Sequence, residues 1–321
     1  MTKNKLTRNI LISIALGAIV YILFVIYADI DSLYNAVAGM KMWYIPIIFL
    51  LSFINYLIRF MKWDYYLNLL EINISKRDSF SIFFSGLSMS VTPGKMGELI
   101  KCYILKKIKG TPISVSTSVV FTERITDFIS LIIIAILGAY IIGYGKEICL
   151  LFGILFVILI VILSSRTISL KIISVLEKIK FINKIAIYIH DLYEGIYQLV
   201  KIKPLLLAVS ISLVGWFCEC FGFYLAIKAF YIEFEILRAS FIYSFSTLIG
   251  ALLFLPGGLG FTEGSLTGLI LLSGIGKEIA VASTFIIRAA TLWFAVLIGA
   301  VVLLIYQKRI HIKLEEIENV K

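Results

Sequence analysis

The chain has 321 residues, of which 60% are hydrophobic and 16% are charged, and its formal net charge is +10. Soluble domains contain about 45–50% apolar and about 25% charged residues, so this composition excludes a water-soluble globular protein. It also excludes a disordered chain, a disulfide-stapled secreted domain and a nucleic-acid-binding domain, so no nucleic-acid partner is expected.

Apolar segments long enough to cross a bilayer as helices, which takes about 20 residues each, recur along the chain. They lie at residues 10–28, 44–61, 112–142, 147–164, 204–228 and 278–306. Two more apolar stretches, 79–107 and 238–274, are interrupted by glycine and proline, which break helices. The sequence therefore predicts an all-α polytopic membrane protein with about six full spans and two broken or re-entrant hairpins. Eight full spans are the alternative.

Basic residues are concentrated in the loops assigned to one side of the membrane, among them Lys62 and Lys101, and are sparse on the other side. Loops rich in lysine and arginine face the cytoplasm, so both termini are predicted to be cytoplasmic. The longest segment outside the membrane, 165–203, has apolar residues every three or four positions and several lysines, as in an amphipathic helix. It is predicted to lie on the inner membrane surface and bind anionic lipid. Packing on the protein's own cytoplasmic face is the alternative.

One pattern occurs twice in the chain. A proline–glycine break is followed by an arginine within an apolar segment, with Pro93 31 residues before Arg124 and Pro256 32 residues before Arg288. The matched spacing indicates an internal repeat rather than a chance recurrence of glycine and proline.

The repeat divides the chain into two membrane units, residues 1–143 and 144–321. Each unit has the order span, span, broken hairpin, span. Three full spans is an odd number, so the second unit is predicted to be inverted relative to the first. Inverted repeats with broken helices in corresponding positions are typical of secondary transporters, whose substrate site lies between the repeats near the bilayer midplane.

The two breaks predict helix N-termini inside the membrane. A helix that restarts after a break begins with unpaired N–H groups and the positive end of its dipole, which both favour an anion. The breaks are formed by Pro93, Gly94, Gly97, Pro256, Gly257, Gly258 and Gly260. We therefore expect the two hairpins to shape an anion site between the repeats.

Ionisable residues within the apolar helices are the candidate substrate contacts. A charge there costs at least about 2.5–3.5 kcal/mol unless it finds a partner, and a phosphate suits a guanidinium because it is bound bidentately. The predicted substrate-binding residues are Arg124, Arg288, Glu98, Glu123, Asp127, Glu219 and Glu263. The alternative is that these carboxylates pair with the arginines purely as structural ion pairs. Neither a metal site nor a cofactor is predicted, since histidine and cysteine show no ligand spacing.

A family resemblance rests on three segments, Thr92–Lys101, Glu123–Asp127 and Leu255–Gly264. They are similar to the lysylphosphatidylglycerol synthase transmembrane region, a family that includes the flippase part of the multiple peptide resistance factor. The similarity covers nearly the whole chain. Where many relatives carry a basic residue just before the last glutamate, this chain has Thr262.

The resemblance implies a flippase-like lipid translocase of the cell membrane, which moves a phospholipid or a polyprenyl-phosphate-linked sugar and has membrane lipids as partners. In two-part relatives a soluble C-terminal domain transfers lysine to phosphatidylglycerol. This chain ends about 15 residues after its last predicted span, so it is expected to lack that synthase and not to be an enzyme. Two other functions stay open: an accessory protein that anchors a partner, and a membrane enzyme acting on a lipid-linked phosphate.

Overall fold

The computed structural model describes residues 18–92, 97–143, 145–179 and 183–310, and within these ranges it contains helices and no strands. The helices up to residue 142 are α1 (Ala18–Ala28), α2 (Ile30–Gly39), α3 (Tyr44–Leu69), α4 (Lys76–Leu87), α5 (Ile100–Lys109) and α6 (Ile113–Ile142). Those that follow are α7 (Lys146–Ser164), α8 (Arg166–Leu176), α9 (Ala186–Leu199), α10 (Ile202–Lys228), α11 (Ile236–Leu252), α12 (Phe261–Leu272), α13 (Lys277–Arg288) and α14 (Phe294–Ile310). A 3-10 turn at Pro256–Gly258 precedes α12, and a π-helical turn at Ala289–Trp293 joins α13 to α14. The predicted all-α class is confirmed.

Several helices are long and apolar enough to cross a membrane. They are α3, α7, α10 and the continuous segment Lys277–Lys308, while α1 and α2, bent by 88° at their junction, would together form one more. α6 has 30 residues and is about 45 Å long, which exceeds the roughly 30 Å hydrocarbon thickness of a bilayer. The chain is thus a multi-pass helical membrane protein, whereas the number of spans and the sides of the termini stay predictions. Residues 10–17 of the first predicted span lie outside the described residues.

Both interrupted stretches form pairs of short helices. The arms of the first pair, α4 and α5, have 12 and 10 residues, and those of the second, α11 and α12, have 17 and 12. At 1.5 Å per residue these arms are about 15–25 Å long, shorter than the hydrocarbon core. The lengths favour hairpins over the alternative of eight full spans. Pro93 and Gly94 of the first break lie outside the described residues.

The ends of these helices follow ordinary capping chemistry. α4 begins after Ser75, whose hydroxyl accepts the backbone N–H of Asp78 at 3.1 Å and so pairs one of the open amides of the first turn. α5 and α6 end at Gly110 and Gly143, whose φ angles of 70° and 86° suit glycine. The ends of these helices are therefore determined by residues at or next to the ends themselves.

Among the described residues two large hydrophobic cores form, one around each hairpin, besides a small cluster of Val91, Leu259 and Leu292. The first contains Ile82 of α4 together with Val120 of α6. The second contains Phe241 of α11 together with Leu131 of α6. On α6 the carboxylate of Asp127 therefore lies between the segment that belongs to the first core and the segment that belongs to the second.

The hairpins are held by two matching helix crossings. α14 packs against α4, and α6 packs against α11. In each crossing the two helices approach most closely at a glycine. A Cβ on Gly299 of α14 would overlap the backbone nitrogen of Ser88, and a Cβ on Gly138 of α6 would lie 2.6 Å from the Cβ of Phe241. α3 and α10 contact each other more extensively than any other pair of described helices. The last helix of each half thus packs on the hairpin of the other half.

The prediction that Lys62 and Lys101 lie in cytoplasmic loops was wrong. Both side chains are essentially unexposed, Lys62 within α3 and Lys101 within α5. Each forms an ion pair with a buried carboxylate, and this attraction offsets the desolvation free energy of the buried ammonium group. These two lysines therefore cannot be used as evidence for which side of the membrane is cytoplasmic.

In its described part, residues 165–179 and 183–203, the predicted amphipathic segment contains the separate helices α8 and α9, and α10 begins at its end. α9 packs on α6, where Gly195 fits against Ser118 without room for a side chain. α8 instead leaves Ile168, Ile172 and Val175 exposed. The alternative of packing on the protein's own face therefore holds for α9. The apolar face of α8 is left exposed by the protein.

Candidate functional site

A cavity of about 500 Å³ lies where α3, α6 and α10 meet the second hairpin and the junction of α13 and α14. Three guanidinium groups belong to its wall, those of Arg59, Arg124 and Arg288. Arg59 lies about 22 Å along α3 from its first residue, and Arg124 about 16 Å along α6. Cations at such depths along membrane helices are expensive unless they are paired or bind a ligand.

Arg59 is the least satisfied of the three arginines. Its side chain is only 9% exposed, and among the described residues its Nε has no hydrogen-bond partner. The salt-bridge partner is Asp127, whose Oδ2 lies 3.9 Å from the Arg59 guanidinium, beyond hydrogen-bond range. A guanidinium on a cavity wall that is held only by an ion pair of 3.9 Å is suited to bind an anion.

Asp127 is the internal counter-ion of the site. Its Oδ1 accepts from Lys62 Nζ at 2.6 Å, while its Oδ2 faces Arg59 at 3.9 Å and Arg124 at 3.8 Å without a hydrogen bond. Lys62 also donates to Ser212 Oγ of α10 at 2.7 Å. One carboxylate thus lies within 4 Å of three cations and, through Lys62, connects α6 to α3 and α10.

Arg124 and Arg288 make equivalent contacts in the two halves. Arg124 donates to Glu98 Oε2 at 2.6 Å, and Arg288 Nε donates to Glu263 Oε1 at 2.7 Å. Each glutamate belongs to the second part of the broken hairpin in its own half. Arg288 also donates to the carbonyl oxygen of Gly257 at 2.7 Å, which fixes the guanidinium at the break itself.

The π-helical turn after Arg288 has a clear packing partner. π turns leave backbone carbonyls without their usual helical bonds and are frequent at functional sites. Here the Tyr56 hydroxyl of α3 donates to the carbonyl oxygen of Ala290 at 2.8 Å. The turn thereby ties the end of α13 to the helix that carries Arg59.

Two of the amides at the breaks, those of Gly97 and Gly260, are already used within the chain. The Gly260 N–H donates to Glu263 Oε2 at 2.8 Å, and the Gly97 N–H donates to Thr92 Oγ1 at 2.8 Å. Glu263 therefore caps its own helix and pairs with Arg288 at the same time. This leaves the arginines, rather than these two amides, as the donors for an external anion.

The predicted site residues fall into two groups. Four belong to the cavity wall: Arg124, Asp127, Glu219 and Arg288. The other three lie behind the wall as buried partners of cations: Glu98 with Arg124, Glu123 with Lys101, and Glu263 with Arg288. Of the residues predicted to form the breaks, Gly257 and Gly258 reach the cavity. The Glu219 carboxylate accepts a hydrogen bond from the Tyr243 hydroxyl at 2.6 Å.

Three cations of the site were missed as functional residues. Lys101 Nζ lies 2.8 Å from Glu123 Oε2 and 4.5 Å from the centre of the Trp63 ring, and Lys62 bonds Asp127 as described above. Arg59 faces the cavity. The signal was present in the sequence: Arg59 and Lys62 are one helical turn apart within an apolar segment, so they lie on one face. The described part of the chain contains no group of three His, Cys, Asp or Glu side chains that could hold a metal ion.

Comparison with known proteins agrees with this architecture. The model of a family described as the lysylphosphatidylglycerol synthase TM region matches residues 10–299. A UPF0104 membrane protein of Methanocaldococcus jannaschii is 29% identical over 72% of this chain and 98% of its own length. UPF0104 membrane proteins of Methanothermobacter thermautotrophicus and Pyrococcus horikoshii are each 24% identical, over 94% and 91% of this chain and 94% and 95% of their own lengths.

Proposed function

This chain belongs to the family of the lysylphosphatidylglycerol synthase TM region, and we propose that it moves a polar lipid with an anionic phosphate in its headgroup between the leaflets of the cell membrane. The observation that carries the proposal is the wall of the cavity. Three guanidinium groups, of Arg59, Arg124 and Arg288, line it against two carboxylates, of Asp127 and Glu219. Glu98 and Glu263 balance Arg124 and Arg288 from behind the wall, whereas within the described part of the chain Arg59 is held only by an ion pair of 3.9 Å, and this loosely paired guanidinium favours an anion in the cavity.

A phosphate diester fits the chemistry of this wall. Guanidinium groups bind phosphate through parallel charge-assisted hydrogen bonds, and the guanidinium of Arg59, a residue of the cavity wall, is held among the described residues only by the 3.9 Å ion pair to Asp127. The carboxylate of Asp127, which faces both Arg59 and Arg124, holds the arginines in the absence of a ligand. Binding of the headgroup would replace Asp127 on these arginines, and release would return them to it. This cycle binds and releases without a covalent step.

The two halves are proposed to act as inverted repeats, residues 1–143 and 144–321. The matched crossings of α14 on α4 and of α6 on α11 support this, as do the equivalent pairs Arg124–Glu98 and Arg288–Glu263. Rocking of such repeats about a fixed site alternates its access between the two sides of a membrane. The extensive contact of α3 with α10 provides an axis for that motion.

The exposed apolar face of α8 is proposed to rest on the cytoplasmic leaflet. It carries Ile168, Ile172 and Val175, and Lys171 lies beside them in the helix. Basic amphipathic helices bind anionic lipid surfaces in this way. This orientation follows from the basic loops and has both termini in the cytoplasm.

Reconstitution tests the proposal. The purified chain is placed in phosphatidylcholine vesicles that hold a trace of phosphatidylglycerol labelled on its headgroup, and an external quencher reports movement from the inner leaflet. We expect acceleration by the wild type and at least a tenfold loss in Arg59→Gln and Arg124→Gln. A lost charge-assisted bond is worth about 1.5–3 kcal/mol, and about 1.4 kcal/mol corresponds to tenfold.

The matched control is Arg166→Gln, because Arg166 is an exposed arginine that pairs with Glu194, and neither residue lines the cavity. Wild-type protein that accelerates no candidate lipid contradicts the proposal. An accessory, anchoring role predicts a different pattern: cellular function would survive Arg124→Gln and be lost when Lys171 and Lys178 are neutralised.

A further inference from the structure

One part of the cavity wall has no role in binding a phosphate. Beside the arginines, the wall continues into apolar side chains from three elements. These are Phe121 and Phe128 of α6, Phe156 and Leu159 of α7, and Leu252 and Phe254 at the tip of the second hairpin. The cavity therefore has a charged end and an apolar end.

The apolar end opens on the outer surface of the protein. Phe121 is 45% exposed, Leu159 36% and Phe254 71%, although all three also line the cavity. The surface around this opening is formed by α7, an apolar helix that is exposed along most of its length. In a membrane protein such a surface faces lipid rather than water, so the mouth opens sideways into the bilayer.

The charged end and the apolar end belong to one cavity, and an aromatic pair lines it between them. Phe128 follows Asp127 directly in α6, and its ring stacks on that of Phe156 of α7, with centroids 5.3 Å apart. The same pair of helices therefore carries the counter-ion of the arginines and the aromatic wall of the groove. A molecule that reaches from Arg124 to Leu159 must be charged at one end and apolar at the other.

The mouth also has a definite depth. Leu159 lies about 7 Å from the end of α7 at Ser164, where α8 follows, and about 20 Å from its beginning at Lys146. Phe121 lies about 12 Å from the beginning of α6. The opening is therefore nearer to the end of α7 from which the amphipathic helix α8 continues.

We infer that the groove between α6, α7 and the tip of the second hairpin binds a hydrocarbon chain of the lipid whose phosphate occupies the arginines, and that the lipid enters sideways from the leaflet on the α8 side. The inference rests on the proposed function for the identity of the headgroup. It adds the second half of the ligand and its route. A soluble phosphate compound can fill only the charged end, whereas a phospholipid contacts both.

Photochemical labelling tests where the chain lies. The reconstituted full-length protein is irradiated with phosphatidylglycerol that carries a diazirine in one acyl chain, and the adducts are located by mass spectrometry. We expect adducts on Phe128 and Phe156, and at least a fivefold reduction of these adducts in Arg124→Gln. Adducts confined to outward-facing residues of α7 such as Val157 and Val161 overturn the groove.

A variant pair tests the route. Leu159→Trp narrows the mouth, and its matched control is Val157→Trp, because Val157 is a more exposed residue of the same helix that lies off the cavity wall. We expect Leu159→Trp to slow lipid movement at least fivefold and to leave the affinity for glycerol 3-phosphate unchanged, while Val157→Trp alters neither. Equal rates for the two variants overturn the lateral route.

The two proposals fail separately. If neither wild-type nor variant protein moves lipid, the transport function is wrong, yet the adduct map still decides whether a chain lies in the groove. If the wild type moves lipid but no lining residue is labelled, the function stands and the groove is wrong.

Discussion

Replacement of Asp127 by asparagine separates a substrate-binding role of the arginines from a purely structural one. In the native protein Asp127 faces Arg59 at 3.9 Å and Arg124 at 3.8 Å. Unit charges about 4 Å apart attract by about 4 kcal/mol at an effective dielectric constant of 20. An external phosphate must overcome part of this attraction, so Asp127→Asn should bind an anion more tightly. We expect the affinity for glycerol 3-phosphate to rise about tenfold, or about 1.4 kcal/mol.

The same substitution should weaken the fold, because Lys62 loses its carboxylate partner at 2.6 Å. Removal of one member of a buried ion pair costs about 3–5 kcal/mol. Calorimetric titration gives the affinity, and thermal unfolding followed by tryptophan fluorescence gives the stability. The two quantities are therefore expected to change in opposite directions.

Glu123→Gln is the matched control. Glu123 is a buried carboxylate of the same helix, pairs with Lys101 and does not reach the cavity. It should lower stability and leave the anion affinity unchanged. If Asp127→Asn binds glycerol 3-phosphate more weakly than the wild type, or if both variants lose affinity in proportion to their stability, the carboxylate does not compete with the ligand and the reasoning is refuted.

Two further predictions concern the interior. Gly299→Ala should destabilise the protein by about 1–3 kcal/mol, because its Cβ would overlap the backbone of the first hairpin. The control Gly264→Ala should have little effect, because a Cβ on Gly264 of α12 meets open space. Equal melting temperatures for the two variants would argue against the close crossing. Lys101→Met should cost about 3–5 kcal/mol because it leaves the Glu123 carboxylate without its lysine. The double variant Lys101→Met with Glu123→Gln should recover part of this loss in the same unfolding measurement, and a double variant no more stable than the single one would contradict the pairing.

The positions of Glu98 and Glu263 resolve a conflict in the sequence. Carboxylates in the first turns after the breaks would repel a phosphate if they faced the site. In the structure Glu263 turns towards the Gly260 amide and Arg288, and Glu98 bonds Arg124 from a buried position. Each glutamate therefore orients an arginine, and the arginine presents the charge to the cavity.

The periodicity and composition of the chain were sufficient to predict helices and the interruption of two apolar stretches into pairs of short helices, whereas the division into two repeated units stays a prediction. These follow from local chemistry: long apolar runs form helices where no water can satisfy the backbone, and proline with glycine interrupts them. The same local reasoning failed for Lys62 and Lys101. A lysine near the end of an apolar run has the same sequence signature whether it reaches water or a buried carboxylate.

The amino-acid sequence by itself determined that this protein is a bundle of membrane helices with a repeated break-and-arginine pattern. Only the tertiary structure decided which charges meet. Arg59 and Asp127 are 68 positions apart along the chain, and it is the packing of α3 on α6 and α10 that brings Asp127, Arg59, Lys62 and Ser212 into one contact network. Apolar periodicity fixes the face that a helix buries, but the partner of a buried charge depends on how whole helices cross, and that is set by side-chain packing over the entire molecule.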